Sequence, residues 1–262
     1  MDGKRVAIIT GSGQGIGRRT AEVLAERGYA LALNDLHPVD ATLASVRALG
    51  AEAIETLGDV SDENDVARMA RDVEDYFRRA DVLVNNAGIS FIRPAEETAA
   101  GEWRRVLDVN LTGPFLMCRA FGKMMLARGS GAIVNIASVA GLSGIGDRAA
   151  YNASKHGLIG LTRTLASEWG GRGVRTNAVC PGWVKTEMDE ADQAGGFYSD
   201  ADIENRVPMA RFARPDEIAE AVAFLADPAR SGFVNGMELR VDGGWLADGS
   251  WDRLRIEHRR PR

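Results

Sequence analysis

Cysteine is scarce in this chain of 262 residues: Cys118 and Cys180 are the only two, and each sits inside an apolar stretch. That placement points to buried free thiols in a reducing compartment rather than to a disulfide framework. Histidine is nearly as rare, and His37, His156 and His258 have no metal-ligand spacing to one another or to a cysteine. No zinc site is expected. The formal net charge is −5, and no cluster of lysine and arginine precedes the tail, which excludes the basic surface that nucleic-acid binding needs. No apolar run approaches the roughly 20 residues of a membrane span. The first strand-like run begins at Arg5, leaving no room for a secretory leader. These absences together predict a soluble, cytoplasmic protein. A long Pro-, Gly- and Ser-rich linker is missing too, as is any internal repeat, so the chain is expected to form one large α/β domain.

What is present is alternation. Short aliphatic or β-branched runs bounded by Gly, Asn or Pro fall at Arg5-Thr10, Ala30-Asp35, Glu52-Leu57, Val82-Asn86, Ala132-Ser138, Arg175-Cys180 and Glu238-Val241. Between them lie amphipathic segments at Gly15-Arg27, Val39-Leu49, Glu63-Arg79, Glu102-Ala127, Tyr151-Trp169 and Pro215-Ala226. Strand and helix repeated in this way predict a Rossmann-type, doubly wound parallel sheet with helices on both faces. The near-continuous apolar character of the runs fits strands buried on both sides. One irregular, charged segment, Trp183-Arg214, leaves the carboxyl end of a strand, where ligands bind in such sheets, and reads as a mobile lid.

Thr10-Gly-Ser-Gly-Gln-Gly-Ile-Gly17 follows the first strand. Gly11 lets the chain turn sharply, Gly15 lets backbone approach a pyrophosphate, and Gly17 permits close packing of helix on sheet. A pyrophosphate there would meet free amides and the positive end of a helix dipole. Because Ile16 occupies the last glycine position of the usual G-x-G-x-x-G fingerprint, the turn takes the form T-G-x-x-x-G-x-G instead. Asp35 ends the second strand, where a carboxylate can accept both hydroxyls of an adenosine ribose. A 2′-phosphate would repel it by up to ~4 kcal/mol at ~4 Å and an effective dielectric of about 20, so NAD is the expected cofactor.

Tyr151 and Lys155 are four residues apart and share one helix face. A phenol with pKa ~10 is a weak base at neutral pH, but an ammonium at ~4 Å contributes up to ~4 kcal/mol toward the phenolate, about three pK units. With the glycine turn, Asn85-Asn-Ala-Gly88 and Ser138, in this order, the chain resembles the short-chain dehydrogenase/reductase family up to about Leu246. The resemblance implies that Tyr151 is the general acid and base, that Lys155 also binds the nicotinamide ribose, and that Ser138 holds the substrate oxygen. It implies that Asn110 anchors a proton-relay water through its backbone. It further implies an adenine contact at Asp59 and Val60, and adenosine-side backbone at Asn86, Ala87 and Gly88. Gln14 stands at a turn position often basic in NADP-using relatives, and Pro181, Gly182, Val184 and Thr186 match the nicotinamide-facing segment.

The implied activity is hydride transfer between NAD and a secondary alcohol or ketone. An NADPH-dependent 3-oxoacyl ketoreductase and a non-catalytic nucleotide sensor are the alternatives. The acidic lid disfavours anionic carriers, and Glu168-Trp169 is similar to relatives acting on sugars and polyols, so a neutral polyol or sugar is the expected substrate. Family resemblance also implies a homotetramer. Phe115, Met117, Phe121, Met124, Met125, Leu158, Leu161 and Leu165 read as more apolar surface than one sheet face covers. Residues 247–262 form a basic tail, in which Trp251, Leu254 and Ile256 are candidates for docking on a neighbouring subunit.

Overall fold

A computed structural model describes residues 4–251 and Arg255. Seven strands form one parallel sheet: β1 (Val6–Thr10), β2 (Ala30–Asn34), β3 (Ala53–Glu55), β4 (Val82–Asn85), β5 (Gly131–Ile136), β6 (Val174–Pro181) and β7 (Glu238–Val241). Their spatial order is β3-β2-β1-β4-β5-β6-β7. The order therefore reverses between β1 and β4, and the crevice beyond the carboxyl ends of these two strands is where such sheets bind ligands. The α-helices among the described residues are α1 (Gly15–Glu26), α2 (Asp40–Ala48), α3 (Glu63–Phe77), α4 (Ala100–Leu107), α5 (Gly113–Arg128), α6 (Ala149–Trp169), α7 (Glu187–Ala194), α8 (Asp200–Arg206), α9 (Pro215–Ala226) and the single turn α10 (Pro228–Ser231).

The central strands are mostly apolar because their side chains alternate between two cores. On β1, Ala7 and Ile9 pack with α1, α2 and α9, whereas Val6 and Ile8 pack with α3 and α5 on the opposite face. One polar line crosses the second core. Asn85 of β4 lies opposite Asn135 of β5 in register and donates to its Oδ1 at 2.8 Å. Asn135 donates in turn to Thr162 Oγ1 of α6 at 2.9 Å, and Thr162 donates to the Leu158 carbonyl. Each buried amide donates to a partner, while the Asn85 Oδ1 accepts from none among the described residues.

The structure departs from the sequence pattern in three places. The expected helix Glu102-Ala127 is interrupted: a π-helical turn, Asp108–Thr112, separates α4 from α5. Pro114, which cannot donate an i→i−4 bond, stands two residues after it. The irregular segment 183–214 contains α7 and α8. Their starts are fixed by Thr186, which accepts from the Asp189 amide, and by Ser199, which shares a reciprocal capping arrangement with Asp202. Finally, most of the apolar side chains expected at an interface serve the chain's own core. Met117, Phe121, Met125, Leu158 and Leu165 are buried, because α5 and α6 pack on the sheet and on each other; among those named, only Phe115 is exposed. Trp251 is also exposed, and Leu254 and Ile256 lie outside the described residues.

Thr162→Val keeps the shape of the side chain and leaves an Asn135 donor unpaired in the core. It is expected to lower stability by about 1–3 kcal/mol, read from urea unfolding; an unchanged midpoint would show that the polar line contributes nothing.

Candidate active site

The carboxyl ends of β1, β4, β5 and β6 open on a cavity of about 500 Å³, within the usual range for cofactor and ligand sites. At one end lies the glycine turn. Gly11 has φ +61° and Gly15 φ +51°, both in the left-handed region that favours glycine. A Cβ on Gly17 would collide with the Gly11 carbonyl. Asn86 clamps the turn from β4, its Nδ2 donating to the carbonyls of Thr10 and Gly11 at 2.9 Å each. Thr10 Oγ1 accepts from the amides of Asn86 and Ala87. The start of α1 has no side-chain cap from Gln14 and no acidic residue in its first turn. Its amides and dipole are therefore left for an external anion.

Asp35 lines the cavity beside this turn; its Oδ2 accepts from the Gly13 amide at 2.9 Å and its Oδ1 from the Leu36 amide at 2.8 Å. Asp59 accepts from the Ser61 amide and hydroxyl and pairs with Arg105 at 3.2 Å. Burial raises its pKa, but these contacts outweigh burial and hold the carboxylate below its usual value. An uncapped helix start, the glycine cradle and a ribose-height carboxylate fit a nicotinamide dinucleotide. Gln14, Gly15, Ile16, Val60, Ala87, Gly88, Pro181, Gly182, Val184 and Thr186 all line the same cavity. Gly17 does not, since its role is packing.

At the other end the reactive groups converge. Ser138 stands just past β5 and accepts from the Ala140 amide at 3.1 Å, and its hydroxyl lies near enough to the Tyr151 phenol to act on its pKa. Lys155, one helical turn along α6, is buried; its Nζ donates to the Ile136 carbonyl at 2.8 Å and lies 5.5 Å from the Tyr151 ring centroid. Burial brings this ammonium down to about 8. The expectation that Lys155 draws the phenol pKa downward is corrected here. Burial pushes Tyr151 above its ordinary value, and the Ser138 hydrogen bond and the Arg148 charge offset it only in part. Asn110 lies behind the cavity wall in the π-turn. Its side chain accepts from the Ile89 amide at 2.8 Å and donates to the Ile89 carbonyl at 2.9 Å, fixing the loop after β4. Gly88 allows this approach, because a Cβ there would sit 3.2 Å from Asn110 Oδ1.

The segment read as a lid does cover the site: Glu187, Met188, Asp189, Asp192 and Tyr198 line the cavity. Much of its acidity is internal. Asp189 is buried and accepts from Tyr198 and Gln193 and pairs with Lys185. Trp183 also lines the cavity and stacks on Trp245 with centroids 4.0 Å apart, while Arg206 of α8 lies over Trp245. Glu168 and Trp169 are remote from the cavity; Trp169 packs against Gly122. Sequence reasoning missed Ser90, Arg105, Arg148 and Asp192. Each reads in isolation as an ordinary solvated polar residue, and only the tertiary fold assembles them.

Residues 11–246 match the family model described as enoyl-(acyl carrier protein) reductase. The D-threitol dehydrogenase of Mycolicibacterium smegmatis is 43% identical, covering 94% of each chain. A 3-oxoacyl-[acyl-carrier-protein] reductase of Synechocystis is 40% identical over 92% of this chain and 97% of that one. A solved structure, a putative NAD(P)-dependent gluconate 5-dehydrogenase from Beutenbergia cavernae with bound NADP, superposes with a TM-score of 0.87 at 43% identity, covering 93% of this chain and 97% of that one. With the doubly wound sheet and the converging Ser138, Tyr151 and Lys155, these matches place the protein in one group: the chain belongs to the short-chain dehydrogenase/reductase family.

Proposed function

We propose that this protein is an NAD-preferring dehydrogenase that interconverts a secondary alcohol and its ketone, with a neutral polyol or sugar as substrate. The observation that carries the reading is the convergence of Ser138, Tyr151 and Lys155 on the same cavity as the uncapped start of α1. The polyol assignment draws support from the name of the threitol-oxidising relative.

In oxidation, the substrate hydroxyl gives its proton to Tyr151 as the carbinol C–H is lost as hydride. A bound nicotinamide supplies the hydride acceptor. Ser138 donates to the substrate oxygen as its charge changes, an interaction worth more in a water-poor site than in solution. Lys155, held by the Ile136 carbonyl, would bind the ribose of the nicotinamide cofactor. The raised phenol pKa suits Tyr151 to donate the proton when a ketone is reduced, whereas in oxidation the phenol must first release its own proton before it can take the substrate's. Asn110 holds the loop that forms one wall, and a relay water on its backbone is part of the proposal.

The cofactor preference rests on Asp35, whose carboxylate lines the cavity beside the glycine turn and would oppose a 2′-phosphate. We further propose a homotetramer in the cytoplasm, with the exposed Phe115 at a contact between subunits.

Tyr151→Phe should lose roughly 10²- to 10⁴-fold in turnover while still binding NAD, as followed by absorbance of the reduced cofactor and by calorimetry. Activity within a few-fold of the parent would remove Tyr151 from the chemistry. Asp35→Ala should weaken NAD by about 1.5–3 kcal/mol and narrow the gap to NADP; a parent that already favours NADP would reverse the reading of Asp35 and favour the 3-oxoacyl reductase type. Light scattering should give four times the chain mass, and a monomer at micromolar concentration would exclude the tetramer.

A further inference from the structure

Beyond Tyr151 the cavity has a wall with no part in proton transfer. Three polar side chains from separate elements meet there: Ser90 from the loop after β4, Arg148 at the start of α6 and Asp192 on α7. Arg148 Nη1 donates to Ser90 Oγ at 2.8 Å, and Ser90 Oγ donates to Asp192 Oδ2 at 2.8 Å. Arg148 Nη2 donates to the same Oδ2 at 3.0 Å. The ion pair is largely shielded, with side chains 11% and 17% exposed. The guanidinium carbon lies 6.0 Å from the Tyr151 ring centroid, so the wall stands beside the reacting position.

The arrangement keeps hydrogen-bonding capacity to spare for water or a ligand. Asp192 Oδ1 takes no hydrogen bond among the described residues, and Arg148 uses two of its five N–H groups. A free acceptor next to free donors matches a group that both donates and accepts, and a hydroxyl does both. A substrate carboxylate would reach Arg148 only by facing Asp192. An alkyl chain would strip water from the ion pair and return nothing.

We propose that Ser90, Arg148 and Asp192 form a hydroxyl-binding subsite that takes the hydroxyl on the carbon next to the one oxidised, which makes the substrate a neutral vicinal diol or polyol. The assignment rests on the secondary-alcohol reading above and adds the residues that select within that class. Because Asp192 belongs to α7, the substrate's second hydroxyl also meets the covering segment directly.

The test measures kcat/KM for a panel of four- to six-carbon polyols and, for the best of them, for the analogue lacking the hydroxyl next to the oxidised carbon. The parent should favour the polyol roughly ten- to a hundredfold, as expected for hydrogen bonds to charged groups. Asp192→Ala should bring that ratio close to one. Ser90→Ala removes one hydroxyl, keeps the ion pair and should reduce the ratio in the same direction, so it serves if the first variant does not fold. A ratio unchanged in both variants, with the two substrates impaired alike, would mean that the triad only fastens α7, and would overturn the subsite. A parent that oxidises both substrates equally would also overturn it while leaving the dehydrogenase reading intact. A parent that oxidises no alcohol in the panel would sink that reading and the subsite with it.

Discussion

The placement of α6 against the ends of β4 and β5 is the constraint on which the site depends. Tyr151 and Lys155 both ride on this helix, and neither has a partner on α6 itself that would fix its height over the sheet. The Asn85–Asn135–Thr162 line sets that height from within the core. The Lys155 bond to the Ile136 carbonyl repeats the constraint at the surface of the cavity. A hydrophobic contact tolerates sliding, whereas a chain of buried hydrogen bonds has one register, and displacement leaves several donors unpaired at once. The phenol and the Ser138 hydroxyl thus meet through a scaffold built mostly from amides.

Those features that were legible in the sequence are the ones whose chemistry is local. A glycine turn is recognisable because left-handed backbone and close packing at Gly11, Gly15 and Gly17 exclude side chains whatever lies around them. Tyr151 and Lys155 share a face through helical spacing alone. The strands were legible because burial on two faces leaves little room for polar residues. What escaped depends on tertiary context. The π-turn at Asp108–Thr112 interrupts an apolar pattern that continues through it, and α7 and α8 are short and rich in acids that serve as caps. The direction of the Tyr151 pKa was misjudged because spacing along a helix reports charge proximity but not desolvation, and desolvation is the larger effect here. Arg148 and Asp192 are 44 residues apart, and no pattern in the sequence joins them.

The acidic segment illustrates how composition can mislead about field. Counted along the chain, residues 187–204 form a negative patch. In the fold, Asp189 is buried under Lys185, Gln193 and Tyr198, Asp202 caps α8, and Asp192 is neutralised by Arg148. The charge that remains to act at a distance is smaller than the sum suggests, so selection against anionic substrates falls to the few groups that line the cavity, Glu187 among them.

The bare start of α1 has a thermodynamic side. A helix that begins without a side-chain cap forgoes about 1 kcal/mol, and here the omission is at the mouth of the dinucleotide cradle. The pyrophosphate completes the helix as well as occupying the site, so native and ligand-bound states are linked by mass action, with a gain that grows as the logarithm of nucleotide over its dissociation constant. The folded population of the chain then rises with the nucleotide concentration around it.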